Sequence, residues 1–306
     1  MTKTCFLFPG QGAQKVGMGH SLYQAYEEAR TCFHMADEIL GYSLSGLCFE
    51  GPQEELNLTR IAQPALLTAS IASFQVLTRQ RPQISADCFG GLSLGEYSAQ
   101  VAAGALEFET ALKLVQRRAE LMQTACEETE GGMVSVIGLS VDQVRSLCES
   151  RAGYLTVANL NCPGQIVVSG QAGELEDFSA RAKQAGAKRC LILKVAGAFH
   201  SRHMDKAAQE FREVLSTVSV RQDRLLQVLS NVTGRCFTET DSWCDLMSRQ
   251  ISSPVLWESD VRWALDQGCG LFYELGPGKT LAGMLKRIDS EAVCRNFETP
   301  DQLDLF

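Results

Sequence analysis

One serine in this chain has neighbours that suit a nucleophile. The stretch from Gly91 to Gly95 reads GLSLG, follows a short apolar run, and precedes a helical pattern that begins at Glu96. In such a G-x-S-x-G elbow, small flanking residues permit a sharp strand-to-helix turn that exposes the serine hydroxyl. The backbone N–H of the next residue, Leu94, then points toward a developing oxyanion. Ser93 is therefore a candidate nucleophile, although an ordinary serine in a glycine-bracketed turn gives the same pattern.

A serine nucleophile needs a general base, and the chain contains four histidines. His200 stands in GAFHS directly after an apolar strand pattern, at a strand end of the kind where α/β enzymes place catalytic groups. Its ordinary pKa near neutrality suits proton transfer, and a helix-capping or solvent-facing histidine is the alternative. His34 lies in a helical stretch that fits a structural role, and His20 has no evident task. His203 lies one helical turn beyond His200 and competes with it for the role of base.

No carboxylate stands out as the partner of the base. The chain has 36 acidic residues, and none is distinguished by its position. A backbone carbonyl is an alternative partner, because it also accepts a hydrogen bond from the imidazole and fixes its tautomer. The sequence therefore predicts a serine–histidine pair with either a carboxylate or a carbonyl behind it.

The composition is that of an ordinary globular protein. The chain has 306 residues, 45% hydrophobic and 21% charged, and its net charge of −8 argues against general nucleic-acid binding. Its apolar runs are far shorter than the ~18 residues that span a bilayer, and the N-terminus lacks the apolar core of a signal peptide. The twelve cysteines are scattered without a C-x-x-C pair, which predicts reduced buried thiols in a cytosolic protein and no metal site.

A scaffold must hold the nucleophile and the base, and the alternation of strand and helix patterns indicates an α/β core with a largely parallel sheet. A short buried strand is predicted at residues 4–8, a second strand around Cys88 just before the elbow, and a long helix at 108–127. Pro64 is expected to open a strongly apolar helix, since its missing N–H costs little at that position. The acidic tail after Ile288 is expected to dock only loosely.

The pattern changes between residues 129 and 196. There the chain follows the order β-α-β-β-α-β, which is typical of a ferredoxin-like fold. A polar, glycine-terminated stretch, EETEGG, precedes this segment, and the first pattern resumes near Ala196. We therefore expect a large subdomain formed by residues 1–128 and 197–306, with a small ferredoxin-like subdomain inserted at 129–196.

Five motifs in a fixed order relate the chain to a known family. They are FPGQGAQKVGMG near the N-terminus, GLSLGEYSA at the elbow, QRRAELMQ, GAFHS, and GPGKTL near the C-terminus. In this order and spacing they resemble the malonyl-CoA:acyl carrier protein transacylases of the stand-alone bacterial type, over essentially the whole chain. The resemblance implies an α/β-hydrolase-like large subdomain with an inserted ferredoxin-like one, in agreement with the strand order.

The resemblance also implies roles for the catalytic residues. Ser93 matches the acylated nucleophile, and His200 matches its base. The backbone N–H groups of Gln11 and Leu94 match the oxyanion hole. The backbone carbonyl of Gln250 matches the group that orients the histidine.

Three further positions match residues close to the substrate. Arg118 matches the arginine that binds the malonyl carboxylate, Phe199 the bulky residue associated with malonyl over methylmalonyl selection, and Asn161 an asparagine near the active site. The chain departs from the usual family pattern at Leu92, where histidine is frequent, and at Ala119, where glycine is frequent. Because QRRA contains two adjacent arginines, the second departure makes the register slightly ambiguous, and Arg118 is chosen over Arg117 because it best matches the family position.

The activity that the resemblance implies is transfer of a malonyl group from malonyl-CoA to the phosphopantetheine thiol of an acyl carrier protein. The transfer would proceed by a ping-pong mechanism through a malonyl-serine ester and serve fatty-acid synthesis. The alternatives are malonyl transfer in trans to a polyketide synthase, acyl hydrolysis, and carrier-protein binding without turnover.

The resemblance implies a cytoplasmic monomer whose substrate is a coenzyme A thioester. No permanently bound cofactor, nucleic-acid partner or membrane association is expected. An acidic carrier protein needs a local basic face on this acidic chain. The candidates for that face are Arg202, Lys206, Lys279, Lys286 and Arg287.

Overall fold

The computed structural model describes residues 2–149 and 153–306. Within those ranges the chain forms ten β-strands, fourteen α-helices and three short 3-10 helices. The strands are β1 (Lys3–Phe8), β2 (Cys88–Gly91), β3 (Gly131–Ile137), β4 (Leu155–Cys162), β5 (Gln165–Gln171), β6 (Arg189–Ile192), β7 (Leu229–Ser230), β8 (Arg235–Cys236), β9 (Cys269–Leu275) and β10 (Val293–Phe297). The helices are α1 (His20–Ala25), α2 (Glu27–Leu40), α3 (Leu44–Glu50), α4 (Gln53–Leu56), α5 (Thr59–Gln80), α6 (Gly95–Ala102), α7 (Phe108–Glu128), α8 (Val141–Glu149), α9 (Leu175–Gln184), α10 (Asp205–Leu215), α11 (Gln222–Leu225), α12 (Trp243–Arg249), α13 (Trp257–Asp266) and α14 (Thr280–Ile288).

The first sheet contains four strands in the order β10-β9-β1-β2, and all of its pairings are parallel. Residues 5–8 of β1 are buried on both faces of the sheet, which is typical of a parallel strand covered by helices on each side. Phe8 at the end of β1 pairs with Gly91 at the end of β2. The sheet therefore brings the loop after β1 and the elbow after β2 to the same edge.

Helix α5 is the central helix of the layer that covers this sheet. Its length and composition would allow it to cross a membrane, but 83% of its most apolar 18-residue window is buried inside the fold. The expectation that Pro64 opens the helix is wrong, because α5 begins at Thr59. Burial of Ile61 and Ala62 extends the helix before the proline, which removes only one backbone donor.

The second sheet contains β3 to β6 in the order β4-β5-β3-β6, with every pairing antiparallel. Helices α8 and α9 pack together against it, and Val134, Val168 and Phe178 lie in a shared apolar core. The predicted β-α-β-β-α-β order is confirmed, apart from the predicted helical residue Ser150, which lies outside the described residues. The subdomain boundaries at residues 129 and 196 stay a prediction.

The expectation of a loosely docked tail after Ile288 is wrong. Strand β10 pairs with β9, and the ring of Phe306 stacks on Tyr273 with centroids 5.3 Å apart. Arg81 donates hydrogen bonds to the carbonyls of Leu303 and Phe306. A strand ladder and apolar stacking hold this segment, and neither depends on its net charge.

Candidate active site

The serine elbow is a strained turn between β2 and α6. Ser93 has φ of 52°, in the left-handed region that side chains rarely occupy. A Cβ added at Gly95 would lie 2.1 Å from the carbonyl oxygen of Phe8, and one at Gly91 would lie 1.9 Å from the carbonyl carbon of Gly95. Only glycine fits both positions, because the turn lies directly against β1. This close approach is what the two glycines of the motif permit.

The serine and the predicted base are in contact. Ser93 Oγ lies 2.9 Å from Nε2 of His200, and Nδ1 of His200 lies 2.8 Å from the carbonyl oxygen of Gln250. A carbonyl only accepts hydrogen bonds, so Nδ1 carries the proton and Nε2 is free to accept one. In the described part of the chain no carboxylate contacts this imidazole. Of the two alternatives left open by the sequence, the structure places the carbonyl behind the histidine.

The environment of His200 favours the neutral imidazole. The ring is buried, and burial lowers its pKa to about 4, with the nearby positive charge of Arg118 acting in the same direction. The neutral form is the one that accepts a proton at neutral pH. The surroundings therefore keep the imidazole of His200 in its proton-accepting form at neutral pH.

Arg118 is a buried cation at the nucleophile. Its side chain is 1% exposed, and Nη2 donates to Ser93 Oγ at 3.1 Å and to Gln250 Oε1 at 2.9 Å. Nη1 donates to Gln63 Oε1 at 2.6 Å. Across residues 2–149 and 153–306 no carboxylate forms an ion pair with it, and burial lowers its pKa. A buried guanidinium paired only with neutral groups suits a ligand that brings a carboxylate.

The structure distinguishes the two adjacent arginines of QRRA. Arg117 is 46% exposed and forms ion pairs with Glu120 and Glu210 on the outer face of α7. Arg118 points inward to the serine. The helical period places neighbouring residues on different faces, so only one of them reaches the site.

The two residues predicted to form the oxyanion hole lie at the cavity beside the serine. Gln11 and Leu94 both line it, and neither amide donates to a protein acceptor within the described residues. Gly10 brings the first loop against the elbow, since a Cβ there would lie 2.3 Å from the carbonyl oxygen of Leu92. Both N–H groups are therefore available for the oxyanion hole that the sequence analysis predicts at these two residues.

The cavity has a volume of about 360 Å³ and lies between the two sheets. Met133 and Val167 of the second sheet line one side, and Met284 of α14 lines another. The predicted residues Phe199 and Asn161 also line it, and Asn161 Oδ1 is buried without a partner among the described residues. The space fits a small acyl group and the end of its thioester arm.

The other three histidines lie in separate contacts. The ring of His20 stacks on Phe49 with centroids 4.8 Å apart, and His34 Nε2 lies 3.2 Å from the hydroxyl of Tyr23. His203 packs against the ring of Tyr154 with centroids 5.3 Å apart. None of these rings hydrogen-bonds to the serine.

Four buried polar residues around the site are not predicted by the sequence analysis. They are Gln63, Glu96, Asn231 and Asp260, each fully buried. Glu96 Oε2 accepts hydrogen bonds from Gln250 Nε2 at 2.6 Å and from the backbone N–H of Asn231 at 3.3 Å. Burial raises the pKa of Glu96 to about 7. A polar residue inside an otherwise apolar segment, such as Gln63 before PALL, is the signal that identifies such positions.

Comparison with known proteins agrees with this geometry. A family model described as the acyl transferase domain matches residues 5–293. The malonyl CoA-acyl carrier protein transacylase of Bacillus subtilis is 41% identical to this chain over 308 aligned residues, which cover all of the chain and 96% of that protein. The chain belongs to the malonyl-CoA:acyl carrier protein transacylase family.

Solved structures of this family share the fold. The transacylase of Clostridium perfringens superimposes with a TM-score of 0.93 at 37% identity, covering 99% of this chain and 95% of that one. A malonyl transacylase in complex with a type II polyketide synthase acyl carrier protein superimposes with a TM-score of 0.94 at 34% identity, covering 99% and 98%. The α/β-hydrolase-like fold class and the family indicated by the five motifs are thereby confirmed.

Proposed function

We propose that this protein transfers a malonyl group from malonyl-CoA to the phosphopantetheine thiol of an acyl carrier protein. The observation that carries the proposal is the position of the Ser93 hydroxyl, 2.9 Å from the base nitrogen of His200 and 3.1 Å from the buried guanidinium of Arg118. A nucleophile, its base and a carboxylate-binding cation in one cavity suit an acyl group that ends in a carboxylate. Relatives named for this activity support the same conclusion.

In the first half-reaction, Ser93 Oγ attacks the thioester carbonyl carbon while His200 Nε2 takes the serine proton. A C–O bond forms and the C–S bond breaks. His200 then returns the proton to the departing coenzyme A thiolate. The hydrogen bond from Nδ1 to the carbonyl of Gln250 holds the tautomer that this transfer needs and stabilises the imidazolium.

The backbone N–H groups of Gln11 and Leu94 stabilise the oxyanion of the tetrahedral intermediate. Both residues line the cavity, and neither amide has a protein acceptor among the described residues, so neither must break an existing bond to receive the oxyanion. Loss of one such donor typically reduces the rate by about 10²–10³-fold.

In the second half-reaction, the phosphopantetheine thiol of the carrier protein attacks the malonyl-serine ester. His200 takes the thiol proton and returns it to Ser93 Oγ as the C–O bond breaks. The carrier thiol thereby takes the place of coenzyme A, and the enzyme returns to its initial state. The reaction consumes no cofactor, and we propose that none is bound permanently.

Arg118 selects the malonyl group. Its fork-shaped guanidinium pairs with the distal carboxylate, whereas an acetyl group leaves the buried cation unpaired. The same ion pair holds the ester away from water and favours transfer over hydrolysis. Phe199, which lines the cavity beside the base, limits substitution at the neighbouring carbon, and Asn161 offers its unpartnered Oδ1 to the substrate.

We infer that the protein works as a cytoplasmic monomer with two partners in turn, malonyl-CoA and the carrier protein. Neither nucleic acid nor a membrane is part of this cycle. One structural relative is bound to an acyl carrier protein, which supports a carrier protein as the acceptor here. Because that carrier belongs to a polyketide synthase, supply of malonyl groups to such a synthase is the second candidate pathway.

Intact mass measurement tests this function. We expect a malonyl adduct on the wild-type protein after brief incubation with malonyl-CoA, none on Ser93→Ala, and transfer of the adduct to holo acyl carrier protein. An adduct that decays equally fast without the carrier would establish a hydrolase instead. Absence of any adduct, with retained carrier binding, would establish a binding module. Comparing kcat/KM for fatty-acid and polyketide carrier proteins separates the two pathways.

A further inference from the structure

The nucleophile is held at both ends of its own backbone by buried amide side chains. The N–H of Ser93 donates to Oδ1 of Asn231 at 2.6 Å. The carbonyl oxygen of Ser93 accepts from Nε2 of Gln250 at 2.8 Å and also, at the start of α6, from the backbone N–H of Glu96 at 3.1 Å. Backbone groups in a turn usually bond to other backbone groups or to water, so this double side-chain contact needs a reason.

The planarity of the peptide bond gives that reason. The carbonyl of Ser93 and the N–H of Leu94 belong to one rigid plane and point in opposite directions. The bonds from Gln250 and from the Glu96 N–H hold the Ser93 carbonyl, and they therefore also fix the direction of the Leu94 N–H, which belongs to a residue that lines the cavity. In the same way, the hydrogen bond from the Ser93 N–H to Asn231 fixes the plane of the peptide bond between Leu92 and Ser93. With both peptide planes fixed, the Ser93 hydroxyl and the Leu94 N–H keep a constant orientation relative to each other.

Asn231 is itself oriented by its surroundings. Its Nδ2 donates to the carbonyl of Gly91 at 2.9 Å and to Oδ2 of Asp260 at 2.8 Å. Both groups accept hydrogen bonds, so the amide has only one favourable orientation, with Oδ1 toward Ser93. Asn231 and Asp260 are both fully buried, which separates their hydrogen bonds from bulk water. Their contacts cross from the loop after β7 to the elbow and to α13.

We propose that Asn231, oriented by Asp260, is a positioning residue that holds Ser93 in its left-handed conformation. The residue does not touch the reacting atoms and acts through the peptide plane it fixes. Without Asn231, the φ angle of Ser93 relaxes from its strained value. The Ser93 hydroxyl and the Leu94 N–H then lose the relative orientation that the reaction needs. This inference rests on the proposed function only for the identity of the substrate, since any reaction at Ser93 requires the same alignment.

The test exchanges the hydrogen-bond donor and the hydrogen-bond acceptor between the side chains of Asn231 and Asp260. In Asn231→Asp an acceptor faces the carbonyl of Gly91 and the carboxyl of Asp260, so we expect kcat to fall about 100-fold with KM for malonyl-CoA changed less than threefold. In Asp260→Asn the amide oxygen still accepts from Asn231, so we expect less than a threefold loss. The double variant Asn231→Asp/Asp260→Asn restores a donor opposite an acceptor and should recover at least tenfold over Asn231→Asp.

A second readout is independent of malonyl transfer. A fluorophosphonate phosphonylates the active serine: Oγ bonds to phosphorus, fluoride leaves, and the proton goes to the base. We expect the rate of this reaction to follow the same order across the variants. If wild-type protein forms no malonyl adduct while phosphonylation still slows in Asn231→Asp, the positioning role stands and the proposed substrate is wrong.

Asn296→Asp is the matched control for loss of stability. Asn296 also donates to a carboxyl with little exposure, Glu274 Oε2 at 2.8 Å, and does not line the cavity. We expect this variant to lower Tm and to leave phosphonylation within twofold of wild type.

If Asn231→Asp gives too little folded protein, Asp260→Ala replaces it, with about a tenfold expected loss in kcat. A wild-type phosphonylation rate in the variant of Asn231, or no recovery in the double variant, would overturn the proposal.

Discussion

At the scale of single residues, we propose that one side chain decides which acyl group suits the cavity. Among the described residues, Arg118 donates only to neutral protein partners, although it is buried and charged. Gln63 and Gln250 hold the guanidinium in place without neutralising it. The cation is therefore directed at the nucleophile and retains its affinity for a carboxylate on the substrate.

Replacement of Arg118 by alanine should change acyl preference more than overall activity. We expect kcat/KM for malonyl-CoA to fall about 100-fold, which corresponds to about 3 kcal/mol for a buried charge-assisted pair, while acetyl-CoA gains relative to it. Arg118→Lys should restore little of the preference, because an ammonium lacks the planar fork. Arg117→Ala, on the exposed face of the same helix, is the control. An unchanged malonyl-to-acetyl ratio in Arg118→Ala would contradict this role.

The low pKa of His200 sets the acid limit of activity. Burial lowers that pKa to about 4, so the proton-accepting form persists well below neutrality. Apart from any inflection that Glu96 causes near neutrality, we expect kcat/KM to stay level as the pH falls to about 5.5 and to decline as the pH approaches about 4. The pH profile of kcat/KM for malonyl-CoA measures this.

Glu96 is the other group that titrates near the serine, since burial raises its pKa to about 7. Any inflection near neutral pH should therefore disappear in Glu96→Gln, whereas the acid limb assigned to His200 should remain. An acid limb near pH 6.5 in that variant would show that the histidine has an ordinary environment.

At the scale of the elements, the elbow works because β1, β2 and α6 approach more closely than side chains allow. The residue that begins α6, Gly95, lies against the end of β1, and Gly91 lies against Gly95 in turn. The parallel pairing of β1 with β2 sets this spacing. The two glycines are therefore required by packing, in addition to any freedom of the turn itself.

Gly95→Ala should damage both stability and activity. Its Cβ would meet the carbonyl oxygen of Phe8 at 2.1 Å, and backbone cannot yield as a flexible side chain does. We expect a loss of about 1–3 kcal/mol in the free energy of unfolding, together with slower acylation because the elbow must shift. Denaturant unfolding and the rate of adduct formation measure the two effects.

Gly283→Ala is the matched control, because Gly283 also lies in a helix and a Cβ there meets nothing within 4 Å. Higher helix propensity should stabilise this variant by about 0.5–1 kcal/mol without changing activity. Equal effects of the two substitutions would show that close approach does not matter at the elbow.

At the scale of the whole molecule, the cavity lies between two sheets that are far apart in the chain. Residues of the second sheet face the elbow across it, and α14 contributes a third wall. Arg287 links these parts, because it donates to the carbonyl of Pro163 and to Gln165 at the β4–β5 turn. Arg287 is one of the basic residues predicted for the carrier-protein docking face. It therefore connects α14 to the second sheet in addition to contributing a positive charge to the surface.

Lys279 and Lys286 are better tests of carrier docking. Both are exposed on or beside α14, and among the described residues neither bridges to the second sheet. Lys279 precedes the cavity-lining Thr280, and Lys286 Nζ donates to the carbonyl of Ser290 on its own side of the fold. We expect Lys279→Glu/Lys286→Glu to raise KM for an acidic carrier protein severalfold, with the effect reduced by salt, and to leave KM for malonyl-CoA unchanged. Lys183→Glu, on α9 away from the cavity lining, is the control. If the double variant leaves KM for the carrier protein unchanged, these lysines are not part of the docking face.

The sequence by itself determined the nucleophile elbow, the fold class and the family. These depend on local patterns: glycines around a serine, alternation of strand and helix, and five short motifs in order. Such patterns are set by sterics and periodicity within a few residues, so they can be read without knowing what lies opposite.

Only the tertiary structure decided which groups meet at the serine. The carbonyl behind His200 comes from Gln250, fifty positions away, and the amide that holds the Ser93 backbone comes from Asn231. The choice between Arg117 and Arg118 depends on which face of α7 is buried, and the docked tail depends on a free edge of β9. Burial and long-range hydrogen bonding arise when distant segments pack together, and residue types alone do not specify those partners.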